Sequence, residues 1–441
     1  MTATHPSRDE IATGQLAGLR SLIAALIEGN PFYGPRLIAA GLGADVPDVA
    51  TFTKRMAMTT KAMIVADQQA HGPYGTNLTY PLDRYSRYHQ TSATSGRPMR
   101  WLDTEESWAW MIGNWRRVFA AAGVTRDDRV LFAFSFGPFL GFWTAFEAGT
   151  QIGCLCLPGG GLSSAARLGM LMDNRATVLC CTPTYALRLA EAAGEAGVDL
   201  RGSAVRVIIV AGEPGGSVMA TRRAISGRWN GARVFDHHGM TEVGPVTYEC
   251  PAEGGVLHVI EGSYVAEVVE AASGAAAEAG TEGELVLTTL GRVGSPLLRY
   301  RTGDLVRMGD RSRVCRCGSW EMRLEGGILG RLDDMVTIRG VNVFPSAVDE
   351  MVRSEPGVAE YRVEIDERGA MAQMRLMIEL VNGAAAGEEL VHGLEAKLRA
   401  ALSLRVPVEV VATGTLPRFE MKASRWIRLR DGAAADRRSG A

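Results

Sequence analysis

Cysteine is scarce in this chain, with seven in 441 residues. That is too few for a disulfide scaffold at this length. Grouped positive charge is missing as well. The formal net charge is −2 and no long basic stretch occurs. Binding a phosphate backbone needs clustered Lys and Arg, so nucleic acid is excluded as the main partner. No signal-peptide pattern and no membrane-spanning apolar run is present, and Met1 to Glu10 is polar, with Pro6. The expectation is a cytoplasmic protein with no membrane partner. No internal repeat occurs. What the chain does have is ordinary globular material: 46 % hydrophobic and 22 % charged residues. Its length suits two to four domains.

From Val130 onward, short apolar runs alternate with helical patterns. Strands are expected at Val130–Phe134, Ile152–Leu157, Thr177–Cys181 and Val205–Val210. Helices are expected at Phe139–Gly149, Ser163–Asp173, Thr184–Ala196 and Ser217–Trp229. Such alternation predicts a parallel sheet covered by helices. Cys154, Cys156, Cys180 and Cys181 fall in these apolar runs and read as core. Upstream, one helix is expected over about residues 12 to 29. Another is expected from Thr104 to Ala122, capped by Asp103 or Thr104 and stopped by Gly123. Strand-like runs follow at Tyr264–Val269, Gly283–Leu290 and Leu297–Arg301, predicting a β-rich subdomain over about 246–331. Ser273 to Gly280 reads as a surface turn. Past Arg331, strands at Met335–Ile338, Ala359–Ile365, Gln373–Leu380 and Val408–Val411, with helices at Ser346–Arg353 and Glu388–Ser403, predict a small α+β domain. The fold class is thus α/β. A large N-terminal domain covers 1–331, a C-terminal domain 332–430, and a disordered tail 431–441.

Several short stretches carry chemistry. Thr91-Ser92-Ala93-Thr94-Ser95-Gly96-Arg97-Pro98 groups hydroxyls around a glycine, as a phosphate loop does, although no Gly-Lys-Ser/Thr closes it. Asp236-His237-His238-Gly239-Met240-Thr241-Glu242 follows a predicted strand and offers a carboxylate and a hydroxyl for Mg²⁺ and phosphate. In Tyr300-Arg301-Thr302-Gly303-Asp304 an aspartate after a tight turn suits ribose hydroxyls. Gly330-Arg331-Leu332-Asp333-Asp334, Ile338-Arg339-Gly340-Val341 and Leu416-Pro417-Arg418-Phe419-Glu420-Met421-Lys422 complete the series. Each alone has a bland reading as a loop, a hairpin turn or a solvated side chain.

In this order the stretches resemble the adenylate-forming superfamily of acyl-CoA synthetases, aryl-acid adenylating enzymes and luciferases. The phenylacetate–CoA ligase branch is the best match. The resemblance runs from about Pro31 to Arg430 and is most specific over Ile328 to Val352 and at Val210-Ala211-Gly212-Glu213-Pro214. It implies ATP-dependent activation of an aromatic acid to an acyl-adenylate, followed by transfer to coenzyme A. Acceptors of other kinds, a carrier protein or an amine, stay open, as does a non-catalytic sensor of nucleotide or acid. A homodimer is a family expectation.

Residue by residue, the resemblance gives Thr91, Ser92, Thr94, Ser95, Gly96 and Arg97 to the phosphates. Arg97 stands where the family usually has Lys, and Ala93 where it usually has Gly; a methyl there restricts positive φ. Gly212, Glu213 and Pro214 would line the adenine pocket, with Asp236 and His237 beside it. His238 replaces a Tyr that packs on adenine. Thr241 would contact the α-phosphate, Glu242 would hold Mg²⁺, and Asp304 with Arg331 would take the ribose. Lys422 would be the adenylation lysine and Asp333 the hinge. Rotation about that hinge would bring Arg339 and Gly340 in for the thiol step. For the acid, Phe136, Phe139, His237 and Gly239 are the expected lining, in a segment rich in aromatics and glycine. Finally, Cys250, His258, Cys315 and Cys317 form a Cys₃His set. It suits a structural zinc, and some relatives in the branch carry a similar set; three reduced thiols and a surface imidazole is the other reading.

Overall fold

The computed structural model describes residues 5–91, 98–339, 341–368, 372–381, 387–419 and 423–429. The first helix, Arg8–Gly29, opens on a capping box in which Ser7 and Glu10 satisfy one another's backbone N–H. Leu19, Leu22, Ile23 and Leu26 recur at helical spacing and are buried in the main core. Against the expectation of no such run, it is the one helix among the described residues long and apolar enough, by length and composition alone, to cross a membrane. Here Gln15 on its buried face donates to Tyr264 O at 2.7 Å.

The central sheet has five parallel strands in the order Leu155–Pro158, Arg129–Phe132, Val178–Cys181, Val207–Val210 and Arg233–Asp236. Helices Glu105–Ala122 and Trp143–Ile152 contribute to the core on one face. Helices Ser164–Asp173, Pro183–Glu195 and Met219–Arg228 contribute to a second core on the other. Two buried faces explain why these strands read as continuous apolar runs. The β-rich part is a six-stranded antiparallel sheet: Thr247–Glu249, Val256–Val259, Arg323–Arg331, Tyr300–Met308, Glu282–Thr289 and Tyr264–Val269. Downstream, four strands lie in the order Val408–Val411, Gln373–Leu380, Val358–Asp366 and Trp426–Leu429. They share a separate core with helices Pro345–Arg353 and Gly387–Leu402.

The strand expected from Ile152 begins only at Leu155, since the preceding helix runs to Ile152, and three further differences have clear local causes. The helix expected from Phe139 begins only at Trp143, because Pro138 and Gly141, at φ +45°, hold 134–142 as a loop. The strand expected at Leu297–Arg301 begins at Tyr300. Leu297 and Leu298 are both buried, so the run does not alternate, and Arg299 turns at φ +46° with its guanidinium on Glu267 at 2.6 and 2.9 Å. Strand Arg323–Arg331 was not expected, since Gly326, Gly327 and Gly330 dilute its pattern. The tail 431–441 lies outside the described residues.

Candidate active site

In open sheets of this kind, ligands bind in the crevice beyond the carboxyl ends of the strands. One wall begins as a hairpin, Tyr85–Gln90 paired with Arg100–Thr104. Thr91 N donates to Met99 O at 2.9 Å and Met99 N to Thr91 Oγ1 at 3.1 Å, so both ends of the phosphate-loop candidate are pinned. Ser92, Ala93, Thr94, Ser95, Gly96 and Arg97 lie outside the described residues. Gln90 N donates to Pro138 O at 2.6 Å, tying the hairpin to the aromatic segment.

Beyond strand Val207–Val210, Gly212 takes φ +94° and Pro214 is exposed. The Glu213 carboxylate is bound at both oxygens. Oε1 accepts from Thr184 N at 2.8 Å and Oε2 from Ala423 N at 2.9 Å. Lys422, one residue before Ala423, lies outside the described residues, as does Gly340. At the end of the next strand, Asp236 turns inward. It accepts from Ser217 Oγ at 2.5 Å and His237 N at 2.9 Å, and a methyl on Gly216 would meet its oxygen at 2.1 Å. Asp236 therefore supports the His237–His238 turn from behind, and burial raises its pKa.

His238 does not stand alone as a flat ring. Its Nε2 faces Asp304 Oδ2 at 3.0 Å, and both atoms are buried. Arg331 Nη1 donates to the other oxygen, Asp304 Oδ1, at 2.8 Å, while its Nε reaches Asp333 Oδ1 at 2.8 Å. Burial pushes the Asp304 carboxyl up, but His238 and Arg331 beside it more than offset this and hold it below its ordinary value. A buried carboxylate held between an imidazole and a guanidinium can accept from ribose hydroxyls. Arg331 joins this spot to the expected hinge at Asp333. Arg339 is exposed at the turn of hairpin Val336–Ile338/Val341–Val343, at φ +51°.

Thr241 and Glu242 are held by a residue the sequence did not single out. Arg292 Nη1 donates to Thr241 O at 2.7 Å and to Glu242 O at 2.8 Å. Its Nε and Nη2 grip both oxygens of Asp103 at 2.7 Å. Neither side chain of this pair is exposed. Burial pushes the Asp103 carboxyl up, and the Arg292 charge more than offsets it, leaving the pKa lowered. Thr104, not Asp103, caps the helix Glu105–Ala122, which frees Asp103 for this role. Thr241 Oγ1 also accepts from Leu140 N at 3.4 Å. The Glu242 side chain is buried and pairs with no cation among the described residues.

The aromatic segment packs edge to face. Phe134 meets Phe139 and Phe142 at ring distances of 5.5 and 4.8 Å, and Phe136 meets Trp143 at 4.8 Å. His237 leans on Trp115 at 4.3 Å. Burial pushes its pKa down to about 3. The neutral ring's Nδ1–H donates to Thr247 O at 2.6 Å, leaving Nε2 as a bare acceptor. That Nε2 lies 3.3 Å from where a Gly239 side chain would begin, so glycine keeps the space beside it open.

Away from the crevice, Cys250, His258, Cys315 and Cys317 bring one ligand atom each within 4.8 Å of the others. Cys250 Sγ and Cys315 Sγ are 3.6 Å apart, and Cys317 Sγ is 3.4 Å from His258 Nε2. A tetrahedron with zinc–sulfur bonds of about 2.3 Å has sulfur–sulfur edges near ~3.8 Å. His258 Nδ1 lies 3.2 Å from Glu321 O, the second contact that turns Nε2 toward the thiols. Burial drives the His258 pKa down to about 4, which keeps the Nε2 lone pair free.

Comparisons with known proteins bear on the family and the fold. The profile described as AMP-binding enzyme matches residues 90–291, and that of the AMP-binding enzyme C-terminal domain matches 340–430. The phenylacetate-coenzyme A ligase of Aromatoleum evansii is 30% identical over 385 residues, covering 85% of this chain and 82% of that one. The chain belongs to the adenylate-forming enzymes, in their phenylacetate–CoA ligase branch. Another member, the phenylacetate-coenzyme A ligase of Escherichia coli (strain K12), is 29% identical over 438 residues, 96% of each chain. Among solved adenylate-forming enzymes, 2-hydroxyisobutyryl-CoA ligase with 2-HIB-AMP in its postadenylation state superposes with a TM-score of 0.89 at 27% identity, covering 96% of this chain and 90% of that one. The same ligase with 2-HIB-AMP and CoA in the thioesterification state gives 0.72 at 28% identity, covering 97% and 91%. The arrangement described here is thus nearer the postadenylation form.

Proposed function

We propose that this adenylate-forming enzyme activates an aromatic carboxylic acid with ATP and passes the acyl group to the thiol of coenzyme A. The observation that carries the reading is the docking of Ala423, the neighbour of Lys422, on Glu213 at the strand-end crevice. In the first half-reaction a carboxylate oxygen of the acid attacks the α-phosphorus, the bond to the bridging oxygen breaks, and pyrophosphate leaves. In the second, the sulfur of the CoA thiolate attacks the acyl carbon and AMP leaves with the electron pair on its phosphate oxygen. Thr91 and the loop it anchors take the outer phosphates, and Thr241 the α-phosphate. His238, Asp304 and Arg331 take the ribose. Mg²⁺, when bound, would neutralise charge on the phosphoryl oxygens, and the buried carboxylate of Glu242, which pairs with no cation among the described residues, suits it. Lys422 faces the negative charge that grows on the α-phosphate. Residues 332–430 act as the moving domain about Asp333, exchanging Lys422 for the Arg339–Gly340 turn between half-reactions. A reaction that consumes ATP and CoA fits the expected cytoplasmic location.

The acid is aromatic on this reading because Phe134, Phe136, Phe139 and Trp143 cluster edge to face in the segment whose Leu140 N donates to Thr241 Oγ1, and the neutral His237 lies four residues before Thr241. Pyrophosphate exchange across benzoic, phenylacetic, cinnamic and straight-chain acids tests this directly. An aryl acid is expected to exchange fastest by about tenfold or more, the discrimination that about 1–3 kcal/mol of apolar contact supplies. Preference for a straight-chain acid would overturn the aryl assignment.

The Cys250, His258, Cys315 and Cys317 set fits a structural zinc, since four protein ligands leave no open position. Cleanly purified protein should carry about one zinc per chain. Cys315→Ser should lower zinc content and the urea midpoint together. Less than about half a zinc per chain, or a stability indifferent to chelation, would contradict the assignment.

A further inference from the structure

Glu213 sits in a stretch expected to form part of the adenine pocket wall, yet its carboxylate is committed elsewhere. One oxygen accepts from Thr184 N, the second residue of helix Pro183–Glu195, and the other from Ala423 N. The helix already has its own cap, Thr182, whose hydroxyl accepts from Tyr185 N at 3.1 Å. Glu213 is therefore not needed to start that helix. Beside it, Arg425, only 8 % exposed, grips Glu360 at 2.7 and 3.1 Å and reaches Thr184 Oγ1 at 3.3 Å. Glu360, Arg425, Thr184, Glu213 and Ala423 thus form one polar chain that starts and ends in the C-terminal domain and passes through the start of a helix in the large domain.

We infer that Glu213 is a positioning residue for adenylation: its carboxylate latches the backbone beside Lys422 to the large domain, and the latch must open for thiol transfer. The inference rests on the reading of Lys422 given above. A carboxylate is suited to the task. It accepts on both oxygens, and the helix N-terminus favours its negative charge. A glutamine of the same size has one acceptor and would turn its own N–H₂ toward one of the two backbone donors. The latch is also conditional. Ala423 moves with the C-terminal domain, so this bond belongs to one orientation and is lost in any other. Breaking it selectively weakens the orientation that places Lys422.

The test is Glu213→Gln, with Glu213→Asp as the second variant, whose shorter side chain keeps the charge but not the reach. Each half-reaction is measured separately: pyrophosphate exchange with the acid, and thioester formation from a supplied acyl-adenylate and CoA. Both variants should lose about tenfold to a hundredfold in the kcat of exchange, the worth of a hydrogen bond to a charged group. KM for ATP should hold. Thioester formation should stay at least as fast as in the wild type, which also shows that the variants fold. A raised KM for ATP with kcat unchanged would make Glu213 an adenine contact only and overturn the latch. Equal slowing of both halves would make it a structural residue and overturn it too. Failure of the wild type to exchange with any acid would instead sink the reading of the enzyme itself.

Discussion

Lys422→Ala slows adenylate formation about a hundredfold or more, while thioester formation from a supplied adenylate continues. That magnitude is typical for removing one preorganised charge aimed at the transition state. The segment bearing Lys422 is held on both sides. Upstream, Glu379, whose pKa is lowered, accepts from Gly414 N at 3.1 Å, from Leu416 N, and from Arg418 Nη2 at 2.8 Å. Downstream, Ala423 is on Glu213. Exchange and thioester assays on the same preparation check the result. Full exchange activity in the variant would remove Lys422 from the mechanism.

Arg292→Met costs about 3–5 kcal/mol of stability, the usual result of leaving a buried charge without its partner. Asp103 would then sit fully buried with neither of its bidentate bonds. The carbonyls of Thr241 and Glu242 would lose their shared donor as well. The paired variant Asp103→Leu/Arg292→Met should recover part of the stability, because a buried ion pair is often replaceable by apolar side chains. It should not recover exchange, because the Thr241–Glu242 loop still lacks its support. Urea midpoints and exchange rates on the single and paired variants separate the two effects. A single variant as stable as the wild type would contradict the account.

Local patterns made much of the fold legible. Gln373–Leu380 and Val408–Val411 occur at the expected bounds, and Thr104 and Gly123 close the helix between them as expected, with Gly123 at φ +73°. The aromatic segment was misread where Gly141 breaks a pattern that looks helical. The glycine-rich strand ending at Arg331 escaped because glycine leaves no side chains to alternate. At the site, the structure does bring Cys250, His258, Cys315 and Cys317 together, although they are spread over 68 positions. The pairing of Asp103 with Arg292 leaves no local signal, since 189 positions separate them and Asp103 reads as a candidate helix cap. The bond between Glu213 and a residue 210 positions away has no local trace in the sequence.

The most direct test incubates the enzyme with its best aryl acid, ATP, Mg²⁺ and CoA, and follows AMP, pyrophosphate and acyl products by mass. The account predicts one aryl-CoA thioester for each AMP released. AMP and pyrophosphate without a thioester would move the acceptor to a carrier protein or an amine, and ATP binding without any AMP would contradict catalysis altogether.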